Sequence, residues 1–287
     1  MEVETPKLAP ASHTDAKLKI YFLPNLLTAG NLFCGFLALT KIVEANPEMA
    51  SFNTVIRNAI FYILLALIFD LFDGRVARMG GYESPFGREF DSLADLISFG
   101  VAPAFLVHHI ILKDVLKSFP KLSWMIAAVY LICGAFRLAR FNCLAAMAGT
   151  GGGKEFLGFP IPAAAGLVSS VTLFLLWLEE QGFSVGRWGF VLPAIMVLLS
   201  LMMVSEVRYP TFKSLDFRAK RTFTKMVIIV LLVVCLVILW DRILHILLPG
   251  LFTAYLIYGF IRPRISRKVR DEIEEEDESE DEPLAPS

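Results

Sequence analysis

Residues 70–95 read DLFDGRVARMGGYESPFGREFDSLAD and separate two strongly apolar runs. The stretch contains four aspartates at regular spacings, Asp70, Asp73, Asp91 and Asp95. Apolar residues precede it in NAIFYILLALIF and follow it in LISFGVAPAFLV. Carboxylates at the end of a membrane-length apolar run are costly unless they are paired or bind a metal ion. The stretch is therefore predicted to be a functional site at the ends of two membrane helices.

The spacing places each pair of aspartates on one face of a helix. Asp70 and Asp73 are three residues apart, and Asp91 and Asp95 are four apart, so the members of each pair share a face. Two such helix ends would form a cluster of oxygen ligands, which suits Mg²⁺ or Mn²⁺ rather than zinc or copper. Two ions at this place could hold a pyrophosphate and offset its developing charge.

Other residues of the same stretch are candidates for contact with a phosphate ligand. Gly74 and Gly87 would let a ligand approach the backbone closely, because glycine has no Cβ atom. Arg78 is a candidate phosphate contact. The alternative is that the charged side chains of the motif, the four aspartates and Arg78, only extend from helix ends to the membrane interface and bind nothing.

The composition is that of a membrane protein. Of the 287 residues, 56% are hydrophobic and only 19% are charged. Several apolar runs reach about 18 to 22 residues, the length that spans a bilayer. We therefore predict an all-α polytopic bundle of about eight transmembrane helices in the lipid bilayer, with no nucleic-acid partner. The four cysteines have no CxxC spacing and are predicted to be small buried side chains rather than disulfide or zinc ligands.

Four parts of the chain follow from the pattern of charge and hydropathy. Residues 1–19 form a polar N-terminal segment, 20–205 a membrane core, 206–262 a basic loop with the last two membrane helices, and 263–287 a basic and then acidic tail. The tail is expected to be disordered. Spans are expected at roughly 24–42, 55–72, from within the motif to about 112, 123–143, 160–178, 187–205, 224–240 and 244–261.

The distribution of Lys and Arg predicts the orientation in the membrane. Most of these residues lie in alternate loops, which include the motif and the loop between residues 206 and 225. Lys113, Lys117 and Lys121 depart from this pattern. The positive-inside rule then predicts an integral protein of the cytoplasmic (inner) membrane, with the motif and both termini on the cytoplasmic side. Gly100 and Pro103 are expected to kink the third span.

Polar residues in two other spans are further candidates for a site. Asn25, Thr28 and Asn31 recur every three residues at the start of the first span, where they must find partners on other helices or face a wet cavity. Arg137 and Arg140, followed by Asn142, lie near the end of the fourth span. A guanidinium matches a carboxylate with two parallel hydrogen bonds, although either arginine could instead pair with an acid such as Asp91 or with a lipid phosphate.

The motif is similar to the signature of the CDP-alcohol phosphotransferase family, D-x2-D-G-x2-A-R-x8-G-x3-D-x3-D. All of its positions are filled, by Asp70, Asp73, Gly74, Ala77, Arg78, Gly87, Asp91 and Asp95. Four longer stretches resemble the branch of this family that uses serine: PNLLTAGNLFCGFLAL, EFDSLADLISFGVAPA, CGAFRLARFN and GFPIPAAAG. They cover most of residues 23–166, whereas beyond about residue 205 the likeness is one of hydropathy only.

The resemblance implies an activity and a role for each candidate residue. The phosphatidyl group of CDP-diacylglycerol would pass to L-serine, giving phosphatidylserine and CMP, by metal-assisted direct displacement. Asp95 would be the general base for serine and would share two ions, Mg²⁺ or Mn²⁺, with Asp70, Asp73 and Asp91. The residues implied in binding CDP-diacylglycerol are Asn25, Thr28, Asn31, Asp70, Gly74, Arg78 and Gly87. Those implied in binding serine are Arg137, Arg140 and Asn142, and a homodimer is expected.

Three other functions are compatible with some of these features. A sister enzyme that uses glycerol 3-phosphate or an inositol phosphate would share the signature, because the choice of alcohol lies outside it. A membrane transporter could also carry intramembrane acids, but the sequence has no inverted repeat of them. A scaffold protein would need no such acid cluster. The residues that would discriminate between the enzymes are Arg137, Arg140 and Asn142.

Overall fold

The computed structural model of the chain describes residues 21–82, 84–112, 119–147, 155–183, 190–205, 207–210 and 245–259. Five of its helical segments are long and apolar enough to cross a membrane, and two further apolar helices are shorter. The protein is thus a polytopic helical membrane protein, as predicted. The expected seventh span, 224–240, lies outside the described residues, so the number of eight spans stays a prediction.

The chain runs through eight described helices and one pair of short strands. The helices are α1 (Phe22–Glu44), α2 (Phe52–Gly80), α3 (Pro85–Asp95), α4 (Ala102–Val107), α5 (Pro120–Met147), α6 (Ile161–Glu180), α7 (Val191–Val204) and α8 (His245–Gly259). The strands β1 (Glu155–Leu157) and β2 (Arg208–Pro210) pair in antiparallel fashion. This strand pair is a small departure from the all-α prediction, and it arises where two connections run side by side.

Helix α2 extends well beyond the end predicted for the second span. It continues without a break through Asp70 and Asp73 to Gly80, a length of 29 residues. That corresponds to about 43 Å, whereas the hydrocarbon core of a bilayer is about 30 Å thick. The apolar run, and with it the predicted span, stops near residue 72, but the helix continues because helix-forming residues such as Ala77 and Arg78 follow. Both aspartates therefore lie within a helix and are held rigidly.

A tight turn joins α2 to α3 and closes the motif into a helical hairpin. Gly81 ends α2 in the left-handed conformation (φ 63°), which favours glycine, and Tyr82 N–H donates to the Ala77 carbonyl at 2.8 Å. Ser84 then begins α3: its Oγ accepts the Gly87 N–H at 3.0 Å, and Pro85 occupies the first helical position. The turn brings the aspartates of α2 next to those of α3.

The segment after α3 stays helical but widens. A π-helical turn, Leu96–Val101, joins α3 to α4, and a second one, His108–Leu112, follows α4. Gly100, where a kink was expected, lies in the first of these turns, and Pro103 lies in the first turn of α4. The Tyr130 hydroxyl donates to the Phe99 carbonyl at 3.2 Å, which satisfies a backbone group of the widened turn.

Helix α6 is the centre of the bundle. Every residue from Ala164 to Leu173 is buried, because neighbouring helices cover it on several sides. Its last residue, Glu180, forms an ion pair with Arg57 of α2 and accepts a hydrogen bond from Asn53 at 3.4 Å. These contacts lie at the end of the bundle opposite the motif. Helix α6 therefore spans from the motif end, where it begins after Pro160, to the opposite end.

Candidate active site

Three of the four aspartates of the motif converge on one point. Asp70 from α2 and Asp91 and Asp95 from α3 each place a carboxylate oxygen within 4.8 Å of the others. Anionic groups so close together in an apolar bundle repel one another unless a cation compensates them. The Asp91 Oδ1 atom is buried and accepts no hydrogen bond within the described part of the chain. A set of three hard oxygen donors fits a divalent cation such as Mg²⁺ or Mn²⁺.

Asp73 borders this three-acid group without being a member of it. Its side chain is almost fully buried, and its Oδ2 atom accepts a hydrogen bond from Thr28 Oγ1 at 2.9 Å. Its charge interacts with those of Asp70 and Asp91. Asp73 thus adds negative charge next to the group, while a neighbouring helix fixes its orientation.

The polar residues of α1 face the motif and support the acids. Asn31 Nδ2 donates to Asp95 Oδ1 at 3.1 Å, as Thr28 does to Asp73. Asn25 lies nearer the hairpin turn, with its Oδ1 only 3.4 Å from where a Cβ atom at Gly87 would be. Its Nδ2 is buried and has no hydrogen-bond partner among the described residues. Two of the three side chains therefore make helix–helix hydrogen bonds, and the third presents a donor beside Gly87.

Arg78 extends back along α2 toward the acid group. Its Nη1 atom lies 3.4 Å from where a Cβ atom at Gly74 would be, so the guanidinium lies beside the backbone of that residue. The charge of Arg78 acts on both Asp91 and Asp70. A phosphate bound near the carboxylates would therefore be within the influence of this guanidinium.

Arg137 reaches the same place from α5. Its side chain is only 8% exposed, and its charge interacts with those of Asp95 and Asp70. The guanidinium carbon lies 5.8 Å from the centre of the Phe141 ring, a cation–π distance. A buried cation whose charge acts on Asp70 and Asp95 compensates part of their charge and could meet an anionic group of a substrate.

The other two polar residues near the end of α5 make different contacts. Arg140 Nη1 and Nη2 donate to the carbonyls of Val204 and Ser205 at 3.0 and 3.1 Å, at the C-terminal end of α7. Asn142 Nδ2 donates to Ser92 Oγ at 3.0 Å and to Glu89 Oε2 at 3.2 Å, both on α3. The three residues predicted to bind serine thus point to three different places, and only Arg137 contacts the acid group through its charge.

Sequence reasoning missed several residues that support the site. Ser98 Oγ donates to the Asn31 carbonyl at 3.0 Å and so joins α1 to the π-helical turn after α3. Glu89 and Ser92 hold Asn142, and their spacing of three residues on one helix was a signal that they share a face. Tyr255 of α8 interacts electrostatically with Arg137, and no pattern in its apolar helix marks it.

The sequence matches that of a known protein family over most of the residues described above. A sequence profile described as CDP-alcohol phosphatidyltransferase matches residues 21–204, which include the whole motif, α1 and α5. The chain belongs to the CDP-alcohol phosphatidyltransferase family. This confirms the resemblance inferred from the signature, and the part of the chain that contains α8 lies beyond the matched range.

Three relatives indicate the branch of the family. A CDP-diacylglycerol–serine O-phosphatidyltransferase of Helicobacter pylori (strain ATCC 700392 / 26695) is 37% identical over 243 residues, 85% of this chain and 91% of that protein. One of Bacillus subtilis (strain 168) is 33% identical over 192 residues, 67% of this chain and 92% of that protein. An archaetidylserine synthase of Methanothermobacter thermautotrophicus is 35% identical over 190 residues, 66% and 69% of the two chains.

Proposed function

We propose that the protein transfers the phosphatidyl group of CDP-diacylglycerol to L-serine, giving phosphatidylserine and CMP. The observation that carries this proposal is the convergence of Asp70, Asp91 and Asp95 within 4.8 Å, with the buried Arg137 beside them. The names of the bacterial relatives support the choice of both substrates.

The three-acid group is the proposed place for the metal. Asp70, Asp91 and Asp95 would hold Mg²⁺ or Mn²⁺, and Asp73, next to them, would complete a site for two ions. When bound, the ions would neutralise the pyrophosphate of CDP-diacylglycerol and stabilise the departing CMP. Asp91 Oδ1 is buried and has no hydrogen bond among the described residues, so this atom is free to bind such an ion.

Asp95 is the proposed general base. It would take the proton of the serine hydroxyl while the serine oxygen forms a bond to the β-phosphorus, which carries the diacylglycerol. The bond from that phosphorus to the bridging oxygen breaks, and CMP leaves with that oxygen. The hydrogen bond from Asn31 fixes the Asp95 carboxylate during this transfer.

The remaining signature residues are proposed to bind the CDP-diacylglycerol. Arg78 would contact its phosphates, since its guanidinium lies beside Gly74 and its charge acts on Asp70 and Asp91. Asn25 would use its buried Nδ2 as a donor beside Gly87. The residues proposed to line the rest of this site are Thr28, Asn31, Asp70 and Gly74.

Arg137 is the first candidate for the serine carboxylate. It is buried beside the acid group, where the serine hydroxyl must arrive, and its planar fork can form two parallel hydrogen bonds with a carboxylate. Arg140 and Asn142 are further candidates, although both already donate to α7 or α3. The pocket should reject ethanolamine, which lacks the carboxylate.

The orientation and assembly in the membrane are also proposals. The motif end of the bundle would face the cytoplasm together with both termini, because Lys and Arg concentrate in the segments on that side. The protein would act as a homodimer in the cytoplasmic membrane. Labelling of single cysteines with an impermeant reagent in intact cells would measure the orientation.

An assay of purified protein tests the function directly. CDP-diacylglycerol in detergent micelles with Mn²⁺ should release CMP and form phosphatidylserine only when L-serine is added. Parallel reactions with glycerol 3-phosphate, an inositol phosphate or ethanolamine in place of serine should release much less CMP. Faster CMP release with one of these alcohols than with serine, or no CMP release with serine, would contradict the proposal.

A further inference from the structure

Asn31 of α1 is held beside Asp95 by contacts at both its side chain and its backbone. The residue is fully buried, and its Nδ2 donates to Asp95 Oδ1 at 3.1 Å. Its carbonyl accepts a hydrogen bond from Ser98 Oγ at 3.0 Å. Helix α1 lies so close to the π-helical turn that a Cβ atom at Gly35 would be only 2.8 Å from Ser98 Cα. The Asn31 amide is therefore fixed next to the proposed general base.

The amide oxygen of Asn31 is a buried acceptor that lacks a donor. An ionised carboxylate only accepts hydrogen bonds, so the contact with Asp95 requires the amide nitrogen and leaves the oxygen for another partner. Asn31 Oδ1 is buried and has no hydrogen-bond partner among the described residues. A buried acceptor without a donor is costly, so this atom is suited to accept an N–H or O–H group of a ligand.

The chemistry of serine identifies the donor that would meet this oxygen. Asn31 Oδ1 is bonded to the same carbon as the Nδ2 atom that contacts Asp95. In serine, the carbon that carries the ammonium is bonded to the carbon that carries the hydroxyl. A serine whose hydroxyl lies at Asp95 therefore brings its ammonium into the neighbourhood of Asn31 Oδ1. An ammonium has three N–H donors and no acceptor, and inside an apolar bundle it needs acceptors such as this one.

We propose that Asn31 Oδ1 accepts a hydrogen bond from the ammonium of serine, which makes Asn31 a specificity-determining residue for the alcohol. This inference rests on the proposed function and deepens it, since it assigns an atom to the amino group, whereas Arg137 is proposed for the carboxylate. Asn31 then lies where the two substrates meet, with its nitrogen on Asp95 and its oxygen on serine. An alcohol without an ammonium would leave this buried oxygen unpaired and should be used poorly.

A comparison of L-serine with 3-hydroxypropionate tests this role, because the second alcohol keeps the hydroxyl and the carboxylate and lacks only the ammonium. With saturating Mn²⁺ and CDP-diacylglycerol, the wild type should show a kcat/KM for serine that is higher by about tenfold or more, the effect of one hydrogen bond to a charged group. Asn31→Ala should slow the reaction with both alcohols, because Asp95 also loses its contact with Nδ2. The ratio of kcat/KM for serine to that for 3-hydroxypropionate should in addition fall by about tenfold.

Thr28→Val is the matched control, because it removes the other hydrogen bond from α1 to an aspartate of the motif. It should keep the preference for serine within about twofold. Asn31→Ser, whose hydroxyl is too short to replace the amide, should lose the preference as Asn31→Ala does, and the Tm of each variant shows whether it folds.

Three results would overturn the inference. The first is an unchanged preference in a folded Asn31 variant. The second is a rise confined to the Mn²⁺ requirement or to the KM for CDP-diacylglycerol, which would assign the amide oxygen to the metal or to the nucleotide. The third, which needs no variant, is equal use of the two alcohols by the wild type. Failure of the proposed function would look different, because the wild type would then show no serine-dependent release of CMP.

Discussion

The α2–α3 hairpin and the end of α5 both bring polar residues to the motif end, but in different ways. In the hairpin, three of the four aspartates lie within 4.8 Å of one another and the fourth borders them. At the end of α5, the charge of Arg137 acts on two of the acids, Arg140 donates hydrogen bonds to carbonyls at the end of α7, and Asn142 donates to side chains of α3. The same short spacing along the sequence therefore gives one shared site in the first region and three separate contacts in the second.

The difference shows when the spacing of residues along the sequence can predict that their side chains share a site. The end of α2 and the start of α3 are only a few residues apart in the sequence, so acids near those two helix ends can converge on one point. The residues of α5 instead find partners from distant parts of the chain, such as Val204, 64 residues after Arg140. Spacing identifies a cluster when its elements are neighbours in sequence, and it fails when each partner comes from elsewhere.

The largest expected effect comes from removing an acid of the cluster. Asp91→Ala should lower kcat/KM by at least about 10³-fold, because a ligand of the proposed metal site is lost and the carboxylates of Asp70 and Asp95 repel each other with less compensation. CMP release across a Mn²⁺ titration measures it. Glu44→Gln removes an exposed acid paired with Lys41 and should leave activity unchanged. Activity within tenfold of wild type, or full turnover in excess EDTA, would show that the cluster is not a metal site.

Asp95→Asn should separate binding from chemistry. An amide can keep the contact with Asn31 but cannot accept the serine proton, so kcat should fall by about 10²–10⁴-fold. Binding of Mn²⁺ and of CDP-diacylglycerol, measured by calorimetry, should weaken far less. Near-normal turnover would exclude Asp95 as the base.

The two arginines of α5 should behave differently although they are one turn apart. Arg137→Lys should raise the serine KM by about 10- to 100-fold, because lysine cannot copy the bidentate fork. Arg140→Lys should mainly lower the Tm by a few degrees, since it weakens the contacts with the Val204 and Ser205 carbonyls. Equal effects of the two variants on the serine KM would mean that both arginines contact serine and that the contrast between them is wrong.

The smallest effect should come from a residue that holds an acid in place. Thr28→Val removes the hydrogen bond to Asp73 and should raise the Mn²⁺ concentration needed for half-maximal activity by about tenfold. Thr40→Val is the matched control on the same helix, because the Thr40 hydroxyl donates only to the local Leu37 carbonyl. An equal response of the two variants would place Thr28 outside the metal site.

Much of the fold and of the acid cluster was accessible from the sequence. Apolar length indicated the membrane helices, and the spacing of the aspartates together with Asn25, Thr28 and Asn31 indicated which faces meet. Length alone could not show that α2 continues past Asp73, since helix-forming residues follow the apolar run. The contacts of Arg140 could not be predicted either, because they depend on how α7 returns to the motif end.

Anomalous diffraction at the manganese edge would locate the metal ion that the three-acid group is proposed to bind. In crystals of the wild-type protein grown with Mn²⁺ and CDP-diacylglycerol, we expect a peak within about 2.5 Å of carboxylate oxygens from Asp70, Asp91 and Asp95. The peak should disappear or lose most of its height in Asp91→Ala crystals grown in the same way. A manganese peak located elsewhere in the bundle, or one that persists unchanged in Asp91→Ala, would contradict the assignment of the hairpin as the metal centre.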